Sequence, residues 1–599
     1  MLHKKQQRKF EFYILPFALF LVFTITFFNA DGQGFLKADG QRIVNSNGEN
    51  VLLRGIGLGG WMLQEGYMLK VNGIGQQQHV IKSKIEELIG EKYTEEFYNT
   101  WLANHTRKID VDSLKAWGFN SIRLPMHFGL YTLPVEKEPL KGKDTWLEKG
   151  FALTDSLLAW CKANHIYLIL DLHAAPGGQG NDLNIADRDA SKPSLWESEE
   201  NKQKMIRLWK KIAERYVNEE WIGGYDIINE PNWGFEDLVN DKNGTKEKKN
   251  EPLRALMIDI TKAIREVDKH HIVIIEGNGW GNNYNGILPV WDNNMVLSFH
   301  KYWNFNDPGS IKHILNYREK YNIPVWLGET GENSNVWFTQ AIQLFEQNNI
   351  GWSWWPLKKL GSNNPLEISS NPNYQQILNY WSGKGSKPSE SDARAGLLKL
   401  ADDLKLENNI YHKDVVDAMM RQPHSAETKP FALNVITANT VLNAVDYDLG
   451  RNGYAYADKD TADYHTAVKG PRGFGNRGRV YRNDGVDILA DTDKNFFVSN
   501  MEEGEWLQYT LNVKQKGKYT IQLAVASAKD SAQLSLSFTG TKINNQFSVP
   551  NTGANNKWQI VEVPGIVLPS GKQVLRIYVD KGDCNLKTIQ FINPISKNK

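Results

Sequence analysis

The 599-residue chain has two cysteines, Cys161 and Cys584, far apart in sequence. That is too few for a disulfide framework or a cysteine-ligated zinc site. It also lacks an excess of charge of one sign, since 70 Lys and Arg stand against 69 Asp and Glu. With no bulk field to hold a polyanion, a nucleic-acid partner is excluded as the main ligand. Long apolar runs are missing beyond residue 28. The one such run, Phe12–Phe28, follows the basic residues Lys4, Lys5, Arg8 and Lys9. That order reads as a secretory signal peptide over residues 1–33, with export to the cell surface or medium; an uncleaved N-terminal anchor is the rival. At roughly 100–200 residues per domain the rest allows two to four domains.

What is abundant is tryptophan. Eighteen of the 20 Trp residues precede position 382, so flat apolar faces are concentrated in the first two-thirds of the chain. There, eight short apolar runs alternate with helix-period segments such as Lys202–Tyr216 and Pro252–Val267. The runs are Val51–Gly60, Asn120–Met126, Ile166–His173, Gly224–Glu230, Ile272–Gly277, Val296–His300, Pro324–Glu329 and Ile350–Trp355. Eight such units predict a (β/α)8 TIM barrel over 34–385. A doubly wound open sheet is disfavoured because no Gly-x-Gly-x-x-Gly turn follows the first strand. After a Gly/Ser/Lys/Pro break at 382–388, a helical spacer is expected over 386–429. From 430 to 595, short alternating strands with Gly/Asn/Asp turns predict an all-β jelly-roll sandwich.

Barrel chemistry gathers where strands end at their carboxyl edge. The residues closing these runs are Arg123, His173, Asn229 with Glu230, His300 with Tyr302, Glu329, and Trp355. Charge at the end of an apolar run is costly unless it serves a purpose. Carboxylates on strands four and seven face each other across a barrel mouth, and a carboxyl pair flanking one bond is what glycoside hydrolysis needs.

The segments Ile227-Ile-Asn-Glu-Pro231, Ser298-Phe-His-Lys-Tyr302 and Trp326-Leu-Gly-Glu-Thr330 resemble glycoside hydrolase family 5, the cellulase-type retaining β-glycosidases. The similarity runs through residues 35–381. It implies Glu230 as acid/base and Glu329 as nucleophile, with no cofactor or catalytic metal. Asn229 would hold the sugar 2-hydroxyl, and Arg123 and Tyr302 would hold the nucleophile. His173 and His300 would line the reacting subsite, with Trp355 beneath the sugar. The opening Arg54-Gly-Ile-Gly-Leu-Gly-Gly-Trp61 with Glu65, and Asp171-Leu-His-Ala-Ala-Pro-Gly177, are similar to the family's exo-β-1,3-glucanases. Gly351-Trp-Ser-Trp-Trp-Pro-Leu-Lys358 reads more like its endoglucanases. A β-glucan hydrolase, endoglucanase-like, is expected, with linkage and mode open. On loops after the strands, Trp61, Trp233, Trp280 and Trp303 are candidates to pave the cleft, whereas Trp117, Trp160 and Trp209 read as core.

Residues 431–595 resemble a family 6 carbohydrate-binding module through Asp446-Tyr-Asp448, Tyr481–Ile488, Glu503–Tyr509 and Cys584–Phe591. This implies Trp558 as sugar platform and Asn585 as its hydrogen-bonding partner, with Asn500 where the family carries an opposing aromatic. The family's structural calcium is in doubt, because its ligand positions hold Asn443 and Val445. The partner expected is a β-glucan polysaccharide or oligosaccharide bound by a monomer, with no protein partner indicated. Two rivals stand beside this reading. One is a metal-dependent barrel hydrolase using His173, Glu230, His300 and Glu329; the other is a non-catalytic glycan-binding surface protein.

Overall fold

A computed structural model describes residues 34–462, 475–539 and 541–593. The segment read as a signal peptide, 1–33, lies outside the described residues; among the latter no helix is long and apolar enough to cross a membrane.

Eight parallel strands close into one barrel in chain order. They are β1 (Arg54–Gly57), β2 (Ser121–His127), β3 (Tyr167–Ala174), β4 (Ile222–Asp226), β5 (Val273–Glu276), β6 (Met295–Lys301), β7 (Val325–Gly331) and β8 (Gly351–Trp355). Each run expected from sequence overlaps one strand, though β4 starts at Ile222 and stops at Asp226, and the following Ile227–Glu230 leave the sheet. Strand residues are almost all buried because helices cover the outside and side chains fill the inside.

The helices packed around the barrel include α1 (Gln78–His105), α2 (Glu199–Tyr216) and α3 (Glu251–Val267). The Ser198 side chain caps α2 by accepting the Asn201 amide. Later come α4 (Asn335–Gln347), α5 (Pro372–Trp381), α6 (Glu390–Asp402) and α7 (Lys413–Met420). The stretch expected as a helical spacer is two helices, α6 and α7, and both are docked. Leu397, Leu400 and Leu404 share a buried cluster with Ile81, Ile85 and Trp101 of α1, while Val415 and Met419 enter the main barrel core. The fully buried Lys358 ammonium fixes this arrangement, pairing with Asp110 at 2.6 Å and donating to the Leu404 carbonyl at 2.7 Å. An unpaired charge there would be prohibitive, so the polar contacts specify where α6 ends.

The C-terminal region folds as two facing antiparallel-rich sheets of six strands each. Inward residues from both, including Tyr509, Leu523, Leu536, Ile577 and Phe591, form one separate core.

Candidate active site

The mouth of the barrel is a cavity of about 800 Å3 lined by His173, Glu230, His300, Tyr302, Glu329 and Trp355 among others. Its floor is built around Arg123, on β2 and fully buried. The guanidinium donates to Asp226 at 2.8 Å, Glu276 at 3.1 Å, Asn229 Oδ1 at 2.8 Å and Glu329 Oε2 at 2.9 Å. Asp171 lies 3.3 Å from it. Burial alone would drive the proton off, but four surrounding carboxylates outweigh it and hold Arg123 cationic.

Glu329, on β7, is gripped at both oxygens, since Tyr302 donates its hydroxyl to Oε1 at 2.7 Å. Burial first, and then the Glu329 charge, raise the Tyr302 pKa well above the phenol's usual value, so this donor keeps its proton. Glu230 sits in the left-handed region at φ 42, a conformation that costs a non-glycine residue about 1–3 kcal/mol. The Glu276 carboxylate holds it there by accepting the Glu230 amide at 2.7 Å. The result aims the Glu230 side chain at the cavity, where His300 Nδ1 meets its Oε1 at 2.7 Å. One carboxylate oxygen from Glu230, one from Glu329 and a His300 ring nitrogen all lie within 4.8 Å of one another.

The electrostatics divide these groups. Burial, with Glu329 and Glu276 adding repulsion, raises the Glu230 pKa, and His300 only partly offsets it. For His300, burial opposes protonation, but Glu276, Glu329 and Glu230 prevail and lift its pKa well above the usual imidazole value. The spacing of the Glu230, Glu329 and His300 donors would also suit a metal ion, as the metal-hydrolase rival requires. His173 is oriented by Asp171 at 2.7 Å, touches Asn229 through Nε2 at 3.2 Å and stacks on Trp355 at 5.1 Å.

The Gly-rich opening strand has a steric reason: a Cβ at Gly57 or Gly59 would come within 2.6 Å of the Trp355 ring. Of the four cleft tryptophans, Trp280 and Trp303 line the cavity. Trp61 does not: it is 2% exposed and donates to the Leu102 carbonyl at 2.8 Å, swallowed by the barrel core. Trp233 is likewise buried, its face covered by Arg188 at 4.8 Å. Trp209 is core, and Trp117 and Trp160 pack against it, as expected.

Several residues were not singled out from sequence. Asp226 and Glu276 share Arg123, and acids inside the apolar runs of β4 and β5 were the available signal. Tyr67, Asp182 and Glu332 line the cavity, beside the Glu65 of the opening segment. Burial, and then Glu329, Glu332 and Glu230, push the Glu65 carboxyl well above its usual range.

In the sandwich, Trp558 is half-buried, edge-on to Phe497 at 5.0 Å, with the Lys587 ammonium 5.4 Å from its ring centre. Asn585 is buried; its Oδ1 accepts the Asn500 amide at 3.0 Å and its Nδ2 donates to the Asn555 carbonyl at 2.6 Å. Asn443 bonds Asp446 at 3.0 Å and Val445 lies in the apolar core, so these residues do not fit a calcium ion.

Residues 86–361 match the model for Cellulase (glycosyl hydrolase family 5), and 480–593 that for Carbohydrate binding module (family 6). Among curated proteins, a "Beta-xylosidase" of Phanerodontia chrysosporium is 25% identical over 365 residues, 55% of this chain and 71% of that one. "Endoglucanase C" of Acetivibrio thermocellus is 23% identical over 368 residues, 51% of this chain and 91% of that one. A "Probable glucan 1,3-beta-glucosidase A" of Aspergillus clavatus is 24% identical over 188 residues, 31% and 42% of the two chains.

Proposed function

Because this chain joins a glycoside hydrolase of family 5 to a carbohydrate-binding module of family 6, we propose that it cleaves β-glucosidic bonds of glucans by double displacement, endoglucanase-like. Glu329 is the nucleophile and Glu230 the acid/base. The observation that carries this is that one oxygen of Glu230 and one of Glu329 lie within 4.8 Å of each other. That closeness suits the covalent glycosyl-enzyme route, with carboxyls about 5–5.5 Å apart, better than the roughly 6.5–9.5 Å of an inverting pair.

Glu329 attacks the anomeric carbon while Glu230 passes its proton to the departing oxygen. Arg123 and Tyr302 orient the attacking carboxylate by donating to opposite oxygens. Once Glu329 is esterified its charge is gone, and one cause of the raised Glu230 pKa goes with it. The Glu230 carboxylate, in contact with His300 Nδ1 at 2.7 Å, then takes a proton from water, whose oxygen displaces Glu329 from the sugar. Asn229 Nδ2 serves the 2-hydroxyl, His173 and His300 flank the reacting ring, and Trp355 underlies it.

An exo-β-1,3-glucanase is the second reading. It is favoured by Glu65 in the cavity, whose carboxyl burial pushes above its usual range, and by a wall of Gln76, Asn184 and Ile185. That wall is pinned where Asp187 bridges His79 at 2.8 Å and His127 at 3.1 Å. We assign 34–385 to catalysis, 386–429 to the docked helices and 430–595 to glycan binding through Trp558 and Asn585, in an exported monomer. Barley glucan, laminarin, carboxymethylcellulose and xylan, with product sizes followed over time, test the assignment. Oligosaccharides from a β-glucan support it, glucose alone supports the exo reading, and release from xylan only contradicts both.

A further inference from the structure

The sandwich does not hang free of the barrel. It grips the short loop that leaves β7 just after Glu329. In that loop Asn333, Ser334 and Asn335 are all buried, and their partners come from three separate parts of the chain. The Asn335 side-chain amide donates to Asp414 of α7 at 2.8 Å and to Asp484 of the sandwich at 3.0 Å. Its Oδ1 accepts from Asn483 at 3.0 Å, and its backbone amide donates to the Asn483 carbonyl at 2.8 Å. Asn483 also reaches the Asn333 carbonyl at 2.9 Å, and its own amide donates to Asp414 at 2.8 Å. The Ser334 hydroxyl bonds the Thr461 carbonyl while capping α4. Gly475 of the sandwich comes so close that a Cβ there would stand 3.1 Å from Ser334 Cβ. Val336 packs on the sandwich core.

The same loop shapes the reacting site. Glu332, at φ 52, lines the cavity and pairs with Lys359, and its carbonyl accepts from Trp303 Nε1 at 3.3 Å. Nucleophile, cavity wall and aromatic rim are therefore tethered within a few residues of groups whose partners lie in the second domain and in α7. A buried amide stripped of such partners must move to find others.

We infer that the Asn483–Asp484 corner of the C-terminal module is a positioning element of the catalytic site, holding the β7–α4 loop and through it Glu329 and Glu332. This role is separate from glycan binding by the module, and it rests on Glu329 being the nucleophile.

The test uses the full chain carrying Asn483→Ala or Asn335→Ser, assayed on a short soluble oligosaccharide of whichever glucan the wild type cleaves. Displacing reacting groups by a fraction of an ångström lowers turnover without removing binding contacts. Each variant is expected to lose about tenfold or more in kcat, with KM nearly unchanged and melting temperature close to wild type. A folded variant with wild-type kcat overturns the inference. So does failure of both variants to fold, which would make the junction a stability element alone. Failure of the underlying reading shows differently: Glu329→Ala would keep its turnover.

Discussion

At the residue scale, the proposed division of labour between two glutamates follows from their neighbours. Glu329 receives hydrogen bonds from a permanent cation and a phenol that keeps its proton. Glu230 is buried beside other carboxylates that favour its protonated form. Glu329→Ala and Glu230→Ala are each expected to lose nearly all turnover on an unactivated glucan, by about 100-fold or more; either mutant keeping most of its activity contradicts the roles. The pH dependence has a fixed sign. A raised Glu230 pKa keeps the acid protonated as pH climbs past the usual carboxylate range, so activity falls on the basic side when that proton leaves. In Glu230→Gln, assayed with an aryl glycoside whose leaving group needs no protonation, this basic limb is expected to vanish from kcat/KM. An unchanged limb would assign it to another group. Strand-end positions made Glu230, Glu329, His173 and His300 legible in the sequence. The proton-holding network was not, because Asp226 and Glu276 become partners only when β4 and β5 curve around Arg123. Trp61 misled for a related reason: a loop position says nothing about whether the loop folds inward.

At the element scale, short continuous apolar runs located all eight barrel strands, buried on both faces, whereas their ends depended on tertiary contacts. Glu230 lies beyond the end of β4 because Glu276 captures its amide in a conformation that no propensity suggests. Gly57 of β1 and Gly59 just after it are explained by the Trp355 ring lying across them. Gly57→Ala is expected to cost about 1–3 kcal/mol of stability and to raise KM as Trp355 is displaced; unchanged KM and melting temperature would contradict that contact. The Asp187 bridge between α1 and β2 predicts a pH-dependent stability. Burial works against the charge, but hydrogen bonds from His127 and His79 bring the Asp187 pKa down to about 2, and Asp187 in turn raises that of His79. The Asp187 contribution is full above its unfolded value of about 3.9 and is lost as pH falls toward 2. The His79 contribution is full below about 6.5 and is lost as pH rises through its raised value. The melting temperatures of wild type and Asp187→Asn should therefore differ most between about pH 4 and 6.5. A difference independent of pH would place the effect elsewhere.

At the scale of the whole molecule, composition separated a Trp-rich barrel from a strand-rich second domain, but it did not reveal that they meet. The docking of α6 depends on Lys358 bonding at its C-terminal end, a lysine buried at 0% side-chain exposure, and lysine in a sequence ordinarily signals surface. For the module, a Glu329→Ala chain should be retained by insoluble glucan, and adding Trp558→Ala should release it; equal retention would remove Trp558 from the binding surface. The account as a whole depends on one covalent event between Glu329 and the anomeric carbon. Proton NMR of the first product released from a β-glucan reads that event directly, before the anomers equilibrate. Two displacements predict the β-anomer as the initial product, and an initial α-anomer would contradict the mechanism.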